Sequence, residues 1–293
     1  MKNQTKALIM GGFVVLFWTT VATAFKIALA DMSYISLLLI ASLTALLVSF
    51  GEILLTGKLA LVRMFFSNRD MVLKGALQGM LNPLLYYLIL FKAYSLLPAQ
   101  IAQPLNYSWQ VVLIIMMALV FKQKLKWQQL AGVMVSFAGI IILSANNSAS
   151  ADGKLSLLGI ILALGSAFVW ASYWISKIES KEDSSVSLFV NFLFGSLYLI
   201  VITLFIPMDI PSLKPFLAAV YVGCFEMGVT FILWGKALNI ATNRVILAQI
   251  TYLSPVLSLL LIHFILGENI VLLTVVGLVF IIGGILVSNL KKV

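Results

Sequence analysis

Among the ten acidic residues of this 293-residue chain, Glu226 stands in the middle of an apolar run, with Gly223 and Gly228 beside it. A carboxylate at the centre of a membrane helix costs about 2.5–3.5 kcal/mol on insertion scales, so one that is kept there has a use. Three uses are open on the sequence. The group carries a proton, it anchors the cationic part of a substrate, or it stays protonated and bonds a neighbouring helix. Glu52 lies nearer the end of its own apolar run and is expected to reach water.

Amides and aromatic rings make up the rest of the candidate chemistry. Gln78 and Asn82 are spaced i,i+4, and Tyr86 follows one turn on. Gln103, Asn106, Tyr107 and Gln110 are spaced i,i+3,i+4,i+7, which is one helical face. Gln249 and Tyr252 are three apart, Thr19, Thr23 and Lys26 share a face, and so do Trp170, Tyr173, Trp174 and Lys177. Such groups form hydrogen bonds and walls; they do not break covalent bonds. They suit a cavity for a small amphipathic molecule. They also suit hydrogen bonding between helices, typically under about 2 kcal/mol each. Trp18, Trp109 and Trp170 lie deeper than interfacial anchors usually do, so cavity wall and packing are both open for them, whereas Trp127 reads as an interface anchor.

Enzymatic chemistry has no support. One His and one Cys exclude a zinc cluster built from this chain, no nucleophile–base set stands out, and no cofactor is expected. His263 reads as an interfacial or packed residue and Cys224 as inert packing. No glycine-rich loop ending in Gly-Lys-Ser/Thr is present to hold ATP, so transport of any kind has to be secondary or passive.

These residues need elements to hold them, and composition says which. The chain is 62% apolar and 10% charged, with mean hydropathy +1.11. Soluble domains are about 45–50% apolar and about 25% charged. Continuous apolar runs predict ten membrane helices, near residues 7–29, 34–56, 71–95, 98–121, 127–145, 155–177, 185–206, 213–236, 243–265 and 270–290. The runs do not alternate in polarity, so they are not barrel strands. The first run imitates a signal peptide, with Ala22-Thr23-Ala24 as a mock cleavage site, but it is long enough to span and is read as retained. Pro83, Pro104 and Pro255 interrupt or open spans and predict kinks.

The net charge of +9 comes from lysines and arginines in the loops, not from a nucleic-acid-binding domain. With a cytoplasmic N-terminus, fifteen of the 19 basic residues fall on the cytoplasmic side. Only Lys26, Lys92, Lys154 and Lys214 fall outside. That asymmetry predicts both termini in the cytoplasm and a multi-pass protein of the cell (inner) membrane, with the lipid bilayer as its surroundings.

The chain also repeats itself, as residues 1–146 and 153–293. Gly132 and Gly139 align with Gly277 and Gly284, and the same register sets Tyr107 on Tyr252. A slip of one residue upstream sets Lys92-Ala93 on Lys236-Ala237, Gly79 on Gly223 and Asn82 on Glu226. A further shift sets Trp18 on Trp170. Five helices per half is an odd number, so the second half enters the membrane inverted, an arrangement found in transporters.

On these residues the chain resembles the drug/metabolite transporter superfamily, in its EamA-like branch. The second half carries the pattern best: Leu253-Ser254-Pro255-Val256, then Leu266-Gly267-Glu268, then Gly277 and Gly283-Gly284. The first half departs from it. Gln123 replaces the loop acid and Gln110 aligns with Pro255, although Pro104 is nearby. The resemblance implies that helices 1–4 and 6–9 enclose a central cavity and that helices 5 and 10 stand aside. It also implies export. The aromatic rings and amides suit amino acids, amines or aromatic compounds as the substrate class, and Glu226 makes protons a candidate coupling partner. The expected function is a secondary transporter working by alternating access. The alternative is a membrane scaffold or sensor that moves nothing.

Overall fold

The computed structural model describes residues 2–120, 122, 127–145, 154–177, 182–208, 210–242, 247 and 250–288. Among them there is helix and no strand. The helices are α1 (Lys2–Ala28), α2 (Tyr34–Leu55), α3 (Leu59–Phe66), α4 (Arg69–Gly79), α5 (Tyr86–Leu96), α6 (Ala99–Tyr107), α7 (Trp109–Val120), α8 (Trp127–Ser144), α9 (Leu157–Lys177), α10 (Ser184–Thr203), α11 (Leu213–Tyr221), α12 (Val229–Ile240), α13 (Leu253–Leu266) and α14 (Leu272–Ser288). A kink within Met80–Leu85 joins α4 to α5, and a π-helical turn, Val222–Gly228, joins α11 to α12.

Among the described residues, six helical stretches are long and apolar enough to cross a membrane: Asn3–Ala28, Tyr34–Leu55, Ala99–Val120, Leu157–Lys177, Ser184–Thr203 and Leu213–Ile240. Trp127–Leu143, Leu253–Leu266 and Leu272–Ser288 are shorter and equally apolar. Large apolar side chains such as Leu47, Leu119, Phe264 and Leu272 point outwards along these helices, as a hydrocarbon solvent permits. The run expected near residues 71–95 is broken at Asn82, whose backbone is extended (φ −142°, ψ 118°). Proline causes this: it disfavours the α region for the residue before it and has no N–H to give to the ladder. Gln123 and Gln249 lie outside the described residues.

The chain folds as two compact units, each drawing on both halves of the sequence. One combines Met1–Leu88 with Glu179–Ser254, the other Ile89–Ile178 with Pro255–Val293. In the first unit α2 packs on α10 and on the π turn Val222–Gly228, and α1 packs on α11 and α12. Small residues allow the close approaches. A Cβ on Gly79 would meet Asn191 O at 2.7 Å, and one on Gly223 would strike the Ala41 carbonyl oxygen. The loops at one end are tied by Asp31, whose Oδ2 accepts from Ser212 N at 2.9 Å. The Ser212 hydroxyl and N–H together hold the Asp31 carboxyl below the usual carboxylate range. That tie therefore holds above the ordinary carboxylate pKa and is lost as pH falls through the lowered one.

In the second unit α8 lies along α14. Gly132 packs against Gly284 and Ser288, and Gly139 and Leu143 pack against Gly277. Each contact turns into the other when every residue is exchanged for its repeat partner. Ser136 Oγ donates to Ile281 O at 3.1 Å, between the two crossings. Glu268 holds the start of α6: its Oε1 accepts from Ala99 N at 2.9 Å and its Oε2 from Gln100 N at 3.2 Å. The Gln100 side chain returns to the same loop, donating to Asn269 O at 3.0 Å and accepting from Thr274 Oγ1 at 2.9 Å. The loop acid of the sequence pattern is thus a helix cap supplied from another element. Removing a capping side chain costs about 0.5–2 kcal/mol, and the carboxylate also complements the helix dipole. Glu268→Ala is expected to lower the thermal unfolding midpoint in detergent, with Glu268→Gln retaining part of the difference. Equal midpoints for all three proteins would show that the cap is idle.

Candidate functional site

Glu226 sits inside the π turn Val222–Gly228, and Asn82, aligned with it in the sequence, sits at the kink within Met80–Leu85. Single π turns within α-helices recur at functional sites. Thr230 partly repairs the π turn by donating its hydroxyl to the Phe225 carbonyl. Glu226 is buried at 7% exposure. Tyr87 Oη donates to its Oε1 at 3.0 Å, while Oε2 has no hydrogen-bond partner among the described residues. Asn82 is wholly buried, and both its amide atoms are unpaired there. Thr23 Oγ1 is buried and unpaired in the same unit. A buried polar atom without a partner costs about 1–3 kcal/mol. Thr23, Asn82 and Glu226 thus leave unpaired polar atoms inside this unit.

Rings line the same helices. Trp18 and Trp234 have centroids 5.8 Å apart, and Phe17, Phe225 and Tyr221 form a run with 4.9 Å steps. Tyr221 Oη and Thr20 Oγ1 share a hydrogen bond of 2.7 Å. Gln78, Tyr86 and Tyr252 are buried in this unit too. Tyr87 and Trp234 were not among the residues singled out from the sequence. Tyr87 was missed for a definite reason. An unbroken helix carries the Gln78–Asn82 face on to Tyr86, but the extended backbone at Asn82 breaks that register. The next residue, Tyr87, is the one that reaches Glu226.

The helix 4 stripe belongs to the other unit. Gln103 is buried with both amide atoms unpaired among the described residues, and Asn106 Nδ2 donates to Ser166 Oγ of α9 at 2.9 Å. Tyr107 and Gln110 are half-buried. Trp109 meets Trp170 edge-on at 6.4 Å, Trp170 stacks on Tyr173 at 5.5 Å, and Trp174 stands edge-on to Trp170 at 5.8 Å. Trp174 Nε1 is buried without a partner, and Lys177 Nζ lies 5.3 Å from the Tyr173 ring centroid. The candidate residues therefore form two sets: a carboxylate with a tyrosine and an unpaired amide in one unit, and an amide with four aromatic rings in the other.

Two other features stand apart from these sets. Glu52, expected to reach water, is buried at 8% exposure and faces two lysines. Helix packing at the end of α2 encloses it, and the lysines offset its charge. A groove of about 720 Å³ between α3, α4 and the start of α10 is lined by Phe65, Met71, Lys74, Glu182 and Asp183 among others, and touches none of the predicted site residues. Among the described residues no three His, Cys, Asp or Glu side chains come together to hold a metal.

Helices of this length and hydropathy, with an apolar outer face and a polar interior, make the chain a multi-pass membrane protein. The model of the EamA-like transporter family matches it twice, at residues 5–145 and 157–290. The chain belongs to that family, and it is a membrane transporter. A transporter of Clostridium kluyveri, described as uncharacterized, is 29% identical over 189 residues, which is 59% of this chain and 60% of that one. An aromatic amino acid exporter, YddG, of Ancylobacter novellus is 25% identical over 178 residues, 60% of this chain and 62% of that one. These alignments span less than two thirds of either relative. A crystal structure shares the fold at TM-score 0.70 with 21% identity, over 97% of this chain and 95% of that one.

Proposed function

We propose that the protein is a secondary transporter that exports small amphipathic metabolites, such as amino acids, amines or aromatic compounds, by alternating access. Ten spans in two inverted repeats, 1–146 and 153–293, carry it, with both termini in the cytoplasm of a cell whose inner membrane holds it. The observation that carries the reading is the pairing of Asn82 and Glu226. Two repeat-equivalent positions each hold a buried polar side chain where the helix is irregular, at the Asn82 kink and in the Val222–Gly228 π turn, as inverted-repeat transporters place irregular backbone around their ligand. The exchange symmetry of the α8–α14 contacts supports the inversion. The YddG relative and the Trp109–Trp170–Tyr173–Trp174 cluster favour an aromatic cargo over an aliphatic one. Glu226 then serves as proton carrier or as anchor for the cargo's ammonium group.

The test is counterflow in proteoliposomes, screened over aromatic amino acids and aromatic amines on both sides of neutral pH. Saturable exchange is expected for at least one aromatic ligand. Binding without exchange for every ligand would leave the scaffold or sensor reading in its place.

A further inference from the structure

One end of the first unit holds a chain of ion pairs that lies outside the two candidate sets described above. Glu52, in the last turn of α2, presents Oε1 to Lys236 Nζ of α12 at 3.3 Å and to Lys58 Nζ at 3.9 Å. Lys58 Nζ also donates to Asp183 Oδ1 at 3.1 Å and to Ser185 Oγ at 3.2 Å. Alongside, Lys74 of α4 pairs with Glu182 at 3.1 Å. The charge asymmetry puts this end in the cytoplasm.

The network closes a seam. Ala41 and Thr44 of α2 meet Gly223, Val48 meets Gly228, and Glu52 meets Lys236. These α2 positions follow one another at turn spacing along one face. Glu226 belongs to the segment between the Gly223 and Gly228 contacts. At 1.5 Å per residue, Lys236 lies about 15 Å further along the same helical path. The seam is tight at the glycines, where backbone meets side chain or backbone. At its cytoplasmic end it is bridged by charge.

Two properties make that bridge releasable. Neither lysine contact to Glu52 has hydrogen-bond geometry, and both carboxylate oxygens lack a hydrogen bond among the described residues. A buried ion pair so incompletely satisfied contributes little net stability, so it is poorly suited to be a permanent clamp. The Lys236 and Lys58 side chains are 43% and 23% exposed, and flexible stems let their ammonium groups turn out to water.

We propose that Glu52, Lys58 and Lys236 form a clasp that shuts the cytoplasmic end of the seam below Glu226 and opens when the lysines leave the carboxylate. The proposal rests on the membrane orientation given above, not on the identity of the cargo. In a Cys224→Ser background, Val48→Cys places a thiol on the seam. Its labelling by a membrane-impermeant maleimide is followed in inside-out and right-side-out vesicles. Glu52→Gln and Lys236→Gln are each expected to speed labelling from the cytoplasmic face about fivefold or more, the range of coupling between linked sites. Lys236→Arg, which keeps the charge, is expected to label at the parent rate. Unchanged labelling from both faces in the two glutamine variants overturns the clasp alone. An Arg variant as fast as its Gln counterpart overturns it too. Faster labelling from the opposite face overturns the orientation, and the clasp with it.

Discussion

Glu226→Gln is expected to insert, fold and elute as the parent does, and to lose proton-gradient-driven transport entirely. The glutamine keeps the side chain's shape. Its carbonyl oxygen still accepts from Tyr87 Oη, which donates to Glu226 Oε1 at 3.0 Å in the parent. What disappears is titration and charge. If Glu226 carries the proton, binding of a neutral ligand persists while uptake driven by a pH gradient falls to background. If it anchors an ammonium group, cationic ligands lose a hydrogen bond to a charged group, worth about 1.5–3 kcal/mol, or roughly ten- to hundredfold in Kd, and neutral ligands are spared. Parent rates for every ligand and every pH would reduce Glu226 to a structural hydrogen bond. Tyr87→Phe serves as the companion variant. It leaves both carboxylate oxygens without a hydrogen-bond donor among the described residues and is expected to weaken ligand binding by a factor of about five, from the loss of about 1 kcal/mol. Tyr86→Phe leaves that bond intact and should do much less.

That contrast between two adjacent tyrosines shows where sequence reading stops. Apolar run length made the helices legible, because a bilayer imposes both length and composition on what crosses it. The unusual depth of Glu226, the Gln103–Asn106 face and the depth of Trp109 and Trp170 were legible for the same reason: polar and aromatic groups are conspicuous against an apolar background. The kink at Asn82 and the π turn at Val222–Gly228 were not. Pro83 and the glycines compete locally with the helical ladder, and hydropathy is blind to a change of register. Tyr87 was hidden by that shift. Trp234 was hidden because its partner, Trp18, is distant in sequence. Glu52 was misjudged because distance from a run's end says nothing about lysines arriving from α12 and the α2–α3 turn. Glu268 carried a pattern but not its meaning, since a cap supplied to α6 from the loop before α14 depends on packing between elements far apart in the chain.

The glycines of the α8–α14 crossing should differ in cost, in an order fixed by what each one faces. A Cβ on Gly132 would meet the Gly284 carbonyl and Ser288, and a Cβ on Gly284 would meet the Gly132 carbonyl and Ser136. At Gly139 the nearest atom is the Gly277 carbonyl oxygen at 2.6 Å. Backbone cannot swing aside, so the two helices have to part, and overpacking of this kind costs about 1–3 kcal/mol. Gly277 differs. Its nearest neighbour is Leu143 Cγ at 2.6 Å, and a leucine side chain has other rotamers to adopt. Gly283 has open space within 4 Å. Thermal midpoints of the five single Gly→Ala variants in one detergent should therefore fall furthest for Gly132, Gly284 and Gly139, less for Gly277, and not at all for Gly283. The Gly283 variant gains slightly, because alanine favours a helix over glycine by about 0.8–1.0 kcal/mol. A uniform drop across all five would mean that composition, not the crossing, sets the cost. A larger loss at Gly277 than at Gly132 would contradict the packing, because the interface would then be yielding at its backbone contacts and resisting at its side chain.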